Sequence, residues 1–193
     1  MSDDTERVER PNSLDRVGAA DPDQTLPKRG AFMGDDDLLR AFENCSLPYA
    51  EWTHRCHVKV AYLYLRRFPY EGALARIRNG IQRYNAAQSI VESPTTGYNE
   101  TTTVAFSRLI AAAIETCRPA GHLLTADQFC DAHPQLMTSR ALRSFYSPAL
   151  RADPRTKLQF VEPDLAPLPA RRLAGNSREV PGEGDFTPQA EPS

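Results

Sequence analysis

The chain has 193 residues and a formal net charge of −2, and its 32–168 stretch is close to neutral, with 14 acids against 15 bases. That balance lacks the basic footprint that phosphate-backbone binding needs, so no nucleic-acid partner is expected. No stretch approaches the ~18 consecutive apolar residues of a membrane span, so no membrane association is expected either.

Hydrophobic residues make up 40% of the chain but are unevenly spread. Residues 1–31 contain no aromatic side chain, and residues 169–193 hold Leu173, Val180 and Phe186 as isolated bulky apolar positions. Neither segment can bury enough surface to offset its ordering entropy, so both are expected to be disordered tails, available as arms for a protein partner. Residues 32–168 carry all four histidines and all four cysteines and are long enough for one core, a single helical domain. The start, MSDDTERVERPN, is acidic without an apolar run, which predicts no secretory signal and a cytoplasmic location. Cys45, Cys56, Cys117 and Cys130 lack zinc-type spacing and read as reduced, buried apolar groups.

The first predicted element is a helix in GDDDLLRAFENCS (34–46), capped by Gly34 or Asp35, with Leu38, Leu39 and Phe42 on one face. After Pro48, a second helix is expected from Tyr49 to Arg67, stopping before Pro69. At ~100° per residue with His54 at zero, Arg55, Lys59 and Arg66 form a solvated stripe near ~120°, while His57 falls near ~300°. His57 therefore points inward and His54 lies at the core margin.

A third helix fits 70–88, with Leu74, Ile77, Ile81, Tyr84 and Gln88 on its apolar face. Gly80 would permit a close helix contact there, and Asn85 would turn inward. SPTTG (93–97) reads as a loop. The fourth helix, about 98–116, would bury Thr103, Phe106, Leu109, Ile110 and Ala113 and leave Arg108 and Glu115 outside. Thr125 is a cap for ADQFCDA, and Thr138 or Ser139 starts SRALRSFYS. KLQFVEPDLAPLP (157–169) reads as an extended strap over the helices, because no partner strand is evident. The pattern predicts an all-α fold, a compact bundle of about five to six helices.

Two stretches carry candidate chemistry. The first is Trp52-Thr53-His54-Arg55-Cys56-His57, whose two imidazoles share a helix side and can converge on a divalent metal or act as an acid/base pair. The plainer alternative is that each ring satisfies a hydrogen bond in the core. Glu51 and His54 also match one Glu-x-x-His element of ferritin-like bundles, although Glu51 lies toward the charged stripe. The second stretch is GYNETTT (97–103). With Gly97 as N-cap, Glu100 falls at the third helical position, near the positive helix end, and Tyr98, Asn99 and Glu100 can complete a polar pocket. Thr102 and Thr103 would face inward toward the histidines. His122 and His133 read as surface or capping residues.

The combination of LPYAEWTHRCHVKVAYLYL, IRNGIQRYN, GYNETTT and VEPDLAPLP resembles a family of small uncharacterised bacterial helical proteins, over about residues 38–168. In that family the first motif is Trp-x-His-x-x-His, matched by Trp52, His54 and His57. The second is Gly-Tyr-His-Glu-Thr, matched by Gly97, Tyr98, Glu100 and Thr101, with Asn99 in place of the family's histidine. The resemblance implies no activity. A third histidine would make a metal site of three imidazoles and a carboxylate, and asparagine is a poor substitute for it.

Together these residues predict a partly buried pocket in which His54 and His57 face Tyr98, Asn99 and Glu100 across the core. His54, His57 and Glu100 are the candidate catalytic or metal-binding groups, and Trp52, Tyr98, Asn99 and Thr103 the candidate ligand contacts. The pocket would serve a small molecule, a divalent metal ion or proton transfer. The alternative from another class is a non-catalytic interaction or scaffold protein whose histidines are satisfied in the core.

Overall fold

Residues 33–117 and 124–170 are described by the structure, a computed structural model. The expected tails therefore lie outside the described residues, apart from 169 and 170, and so does His122.

Helix α1 (Asp35–Glu43) opens with three aspartates against its positive end and buries Leu38, Leu39 and Phe42. Pro48 then leads into a single 3-10 turn (Tyr49–Glu51). The continuous helix expected over 49–67 is broken at Trp52 and Thr53. Thr53 is extended (ψ 168°) and its hydroxyl accepts the Cys56 N–H at 3.4 Å, so α2 runs from His54 to Arg67. A threonine N-cap satisfies a backbone donor that a longer helix would have paired internally, which makes a fresh start here competitive. The break also takes Glu51 off the helix that carries His54, so the Glu-x-x-His match does not share a helical face.

Helix α2 is central and packs against α1, α3, α4 and α5. Eight of its fourteen residues are buried, and Lys59 is one of them. The stripe read as solvated is covered by α5 (Ala126–Ala132), which is capped by the expected Thr125 together with Gln128. Arg55 Nη2 lies 2.9 Å from Asp127 and 2.8 Å from Asp131, and fully buried Lys59 reaches Asp127 at 2.8 Å. Arg66 donates to the Leu124 carbonyl at 2.8 Å. Asp127 and Asp131 stand one turn apart on α5, as Arg55 and Lys59 do on α2, so the two helices match charge to charge.

Helix α3 (Tyr70–Ala87) follows Pro69 and buries Leu74, Ile77, Tyr84 and the inward Asn85. A methyl group added at Gly80 would sit 2.6 Å from the Phe42 ring, so glycine sets how closely α1 and α3 approach. Phe42 itself stacks on Trp52 at 4.8 Å and lies 5.9 Å from the Tyr84 ring.

Helix α4 (Glu100–Cys117) is capped by Asn99 and not by Gly97, because Asn99 Oδ1 accepts the Thr102 N–H at 2.8 Å. Gly97, at φ +85°, instead turns the loop over Glu92, whose carboxylate accepts the Tyr98 N–H at 2.8 Å. Glu100 thereby becomes the first helical residue. Phe106 and Ile110 are buried as expected, but Thr101 is the buried threonine, ahead of the expected Thr103. The C-terminal strap decides this. The Thr101 hydroxyl donates to the Gln159 carbonyl at 2.9 Å and accepts the Val161 N–H at 3.0 Å. Arg108, expected outside, is drawn under the same strap, 4.5 Å from the Phe160 ring and 3.5 Å from Glu162.

Beyond α5, 3-10 turns at Pro134–Leu136 and Ser139–Ser144 lead to α6 (Pro148–Ala152) and α7 (Arg155–Leu158). Thr138 starts the second of these turns, as expected, by accepting the Arg140 N–H. The chain then continues without helix or strand as a strap to residue 170. The strap is held by Tyr146 Oη on the Val161 carbonyl at 3.1 Å and by buried Leu168. The fold is all-α, with no strand among the described residues. No described helix is long and apolar enough to cross a membrane.

Candidate functional site

The break before α2 defines the surroundings of both histidines. His57 sits one turn into the helix, where the Thr53 carbonyl accepts its backbone N–H at 3.1 Å and its Nδ1–H at 2.9 Å. A carbonyl can only accept, so Nδ1 carries the proton and Nε2 presents a lone pair. Trp52, the one tryptophan of the chain, covers the ring at 3.9 Å and fixes its plane. Nε2 makes no hydrogen bond among the described residues. His54 differs, since its Nε2–H donates to the Leu136 carbonyl at 2.9 Å and its ring meets Phe106 edge-on at 5.0 Å.

Burial pushes the His57 pKa down from 6.5 to about 4, against the Thr53 hydrogen bond and with the nearby His54 ring adding to the fall. His57 is therefore neutral at physiological pH, an acceptor at Nε2.

Both histidines line a cavity of about 260 Å³ between α2, α3 and α4. Its walls are mainly apolar, from Val58 and Ala61 on α2, Ile77 and Ile81 on α3, and Phe106 and Ile110 on α4. Thr102, Thr103, Ser107 and Ser139 add hydroxyls, and those of Thr103 and Ser107 donate their protons to the carbonyl one turn earlier, Asn99 and Thr103 respectively, both at 2.8 Å. Thr103, Ser107 and His57 therefore offer acceptor lone pairs. A mainly apolar wall with a few convergent polar atoms is the usual composition of a small-molecule site.

The other predicted residues are arranged differently. Glu100 is committed to structure: Oε1 accepts Arg78 Nη2, and Oε2 accepts Arg78 Nε at 3.2 Å and the Tyr98 hydroxyl at 2.5 Å. Burial and the Glu100 carboxylate together push the Tyr98 phenol well above its usual range. Neither Tyr98 nor Glu100 lines the histidine cavity. Asn99 lines a neighbouring one, and Trp52 supports His57 from behind. The structure thus brings His54, His57 and Thr103 together at one cavity and leaves Glu100 in a clamp between α3 and α4.

A divalent metal does not fit this donor set. Both Glu100 oxygens are held by cation and phenol, and His54 Nε2 is held by a carbonyl. No cluster of three or more His, Cys, Asp or Glu side chains that could hold a metal ion occurs among the described residues. His133, the remaining described histidine, occupies the cap position between α5 and the 3-10 turn through its backbone, while its ring lies 4.6 Å from Phe129 and its Nε2 3.4 Å from Cys117 Sγ.

Ser107 and the isoleucines of α3 were not among the predicted site residues. The helical period did mark Ile77 and Ile81 as inward-facing, but gave no sign that they face His57. Comparison with family models, curated proteins and solved structures finds no match. The functional reading therefore rests on the geometry of the cavity.

Proposed function

We propose that this protein binds a small, mainly apolar molecule in the α2–α3–α4 cavity, and that the molecule donates a hydrogen bond to His57 Nε2. The observation that carries this is a partly accessible imidazole, fixed in its Nδ1–H form by Thr53 and facing apolar walls with an unused acceptor. The alternative in which both histidines are satisfied in the core accounts for the His54 bond to Leu136 but not for His57 Nε2. Size supports the same reading. An apolar cavity of ~150 Å³ already takes up benzene, and this one, about 260 Å³, has room for a larger ring system or a short chain. Proton transfer is the weaker use of the same atom, because a base with a pKa of about 4 has little driving force near neutrality.

Calorimetric titration of the full chain with naphthol and with its methyl ether tests this. The expected result is naphthol binding that exceeds the ether by about fivefold or more, the range of one net hydrogen bond. In His57→Ala that difference should vanish. Equal binding of naphthol and ether to the native chain, or no binding of either, would overturn the proposal.

A further inference from the structure

The four cysteines, all read from the sequence as buried apolar groups, are free thiols of two kinds. Cys56 and Cys130 are buried. Cys56 Sγ donates to the Glu51 carbonyl at 3.1 Å, and burial pushes the Cys130 thiol up to about 12. Cys45 and Cys117 are only half-buried. They are matched in position, since Cys45 stands just past the end of α1 and Cys117 is the last residue of α4. The negative end of a helix disfavours an anion, and that handicap is common to both.

The two differ in one neighbour. His133 Nε2 lies 3.4 Å from Cys117 Sγ, and Gln135 Nε2 lies 3.4 Å from His133 Nδ1. An amide NH₂ can only donate, so Nδ1 is the acceptor and Nε2 carries the proton, aimed at the sulfur. Burial lowers the His133 pKa, so this neutral ring is the form present near neutral pH. Phe129 packs on the ring at 4.6 Å and steadies it. The Cys45 thiol makes no hydrogen bond among the described residues. An N–H donated to a charged sulfur is stronger than one donated to a neutral thiol, and the thiolate is the form that attacks. His133 therefore favours the reactive form of Cys117 and has no counterpart at Cys45. The Cys117–His133 pair lines neither the histidine cavity nor its neighbour. A half-buried thiol outside those cavities suits a small reagent arriving from solvent.

We infer that Cys117 is a thiol-modification site that takes up a small thiol from its disulfide, with His133 and Gln135 as positioning residues. The Cys117 thiol loses its proton to solvent, and the thiolate attacks one sulfur of the incoming disulfide. A new S–S bond forms as the old one breaks, and the departing thiolate takes a proton from water. The net change turns one protein thiol and one small disulfide into a mixed disulfide and one small thiol. This inference is independent of the cavity reading, which uses none of these residues.

The test is to incubate the reduced full chain with glutathione disulfide near neutral pH and to follow each cysteine by peptide mass spectrometry. Cys117 should gain glutathione first, about threefold or more faster than Cys45, and excess thiol should release it. His133→Phe keeps a ring against Phe129 and removes the N–H. It should slow Cys117 by about threefold or more and leave Cys45 unchanged. A merely structural role for His133 would instead speed both sites as the fold loosens, and that result would overturn the inference. So would modification of Cys45 ahead of Cys117, an unchanged Cys117 rate in the variant, or no adduct at Cys117. The order of Cys117 and Cys45 is read on the native chain, so it decides the matter even if His133→Phe does not fold.

Discussion

The neutrality of His57 is a property of its buried surroundings. In the unfolded chain its imidazole takes a proton near 6.5, whereas in the folded chain burial defers this to about 4. The unfolded state therefore binds more protons between these values. The contribution to stability is complete above pH 6.5 and is lost as pH falls toward 4, to an extent of about 3 kcal/mol. His133, also lowered by burial, adds loss in the same direction. Asp127 acts lower on the scale. Burial raises its pKa, but Lys59 and Arg55 outweigh that and depress it below 3.8, so its contribution fades only below that value. Urea unfolding at about pH 7 and about pH 4.5 should show a smaller loss in His57→Gln than in the native chain, and equal losses would mean that His57 titrates normally. The inward direction of His57 was legible from the helical period alone. Its tautomer was not, because that depends on Thr53 standing as the N-cap of a helix that starts afresh at His54.

Among the elements, the α2–α5 contact departs furthest from what the sequence suggested. A charged stripe on a helix ordinarily faces water, and Arg55, Lys59 and Arg66 were read that way. The signal that corrects it was present in ADQFCDA, where Asp127 and Asp131 are spaced one turn apart, but a pattern within one helix does not say which other helix it meets. Lys59 is fully buried, and the carboxylate on its ammonium is Asp127, with the Met33 carbonyl more distant at 3.5 Å. Removing the acid should therefore cost more than removing the base. Asp127→Ala strands a buried ammonium and is expected to cost about 3 kcal/mol or more. Lys59→Met keeps the packing of the stem and leaves Asp127 with Arg55, so it should cost about 1 kcal/mol. Chemical denaturation of the two variants at neutral pH checks the order, and the reverse order would show that the Lys59 charge is not held by Asp127. The misplaced α4 cap has a related origin. Gly97 and Asn99 both suit a helix start, and the choice depends on Glu92, which occupies the space a side chain at 97 would need.

For the whole molecule, the all-α class and the order of its helices followed from periodicity, proline positions and capping residues. An extended strap over the helices was expected at 157–169 because no partner strand is evident, but Lys157 and Leu158 belong to α7 and the anchoring on Thr101 was not legible. The cavity did not follow, for a physical reason: apolar spacing tells which side chains face inward but not how closely they meet. Ile77 and Ile81 of α3, Phe106 of α4 and Ala61 of α2 are inward residues like any others until their packing leaves about 260 Å³ beside His57. Glu100 illustrates the opposite limit. A carboxylate at a helix start can serve a site or a clamp, and Arg78, on a different helix, settles it as a clamp. What remains of the predicted site is one imidazole acceptor facing an apolar space, and nitrogen NMR of the histidine rings tests it most directly. His57 should appear as the neutral Nδ1–H tautomer, should titrate near 4, and its Nε2 resonance should shift when naphthol is added. An Nε2–H tautomer, a midpoint near the ordinary 6.5, or an Nε2 signal indifferent to naphthol would contradict the account.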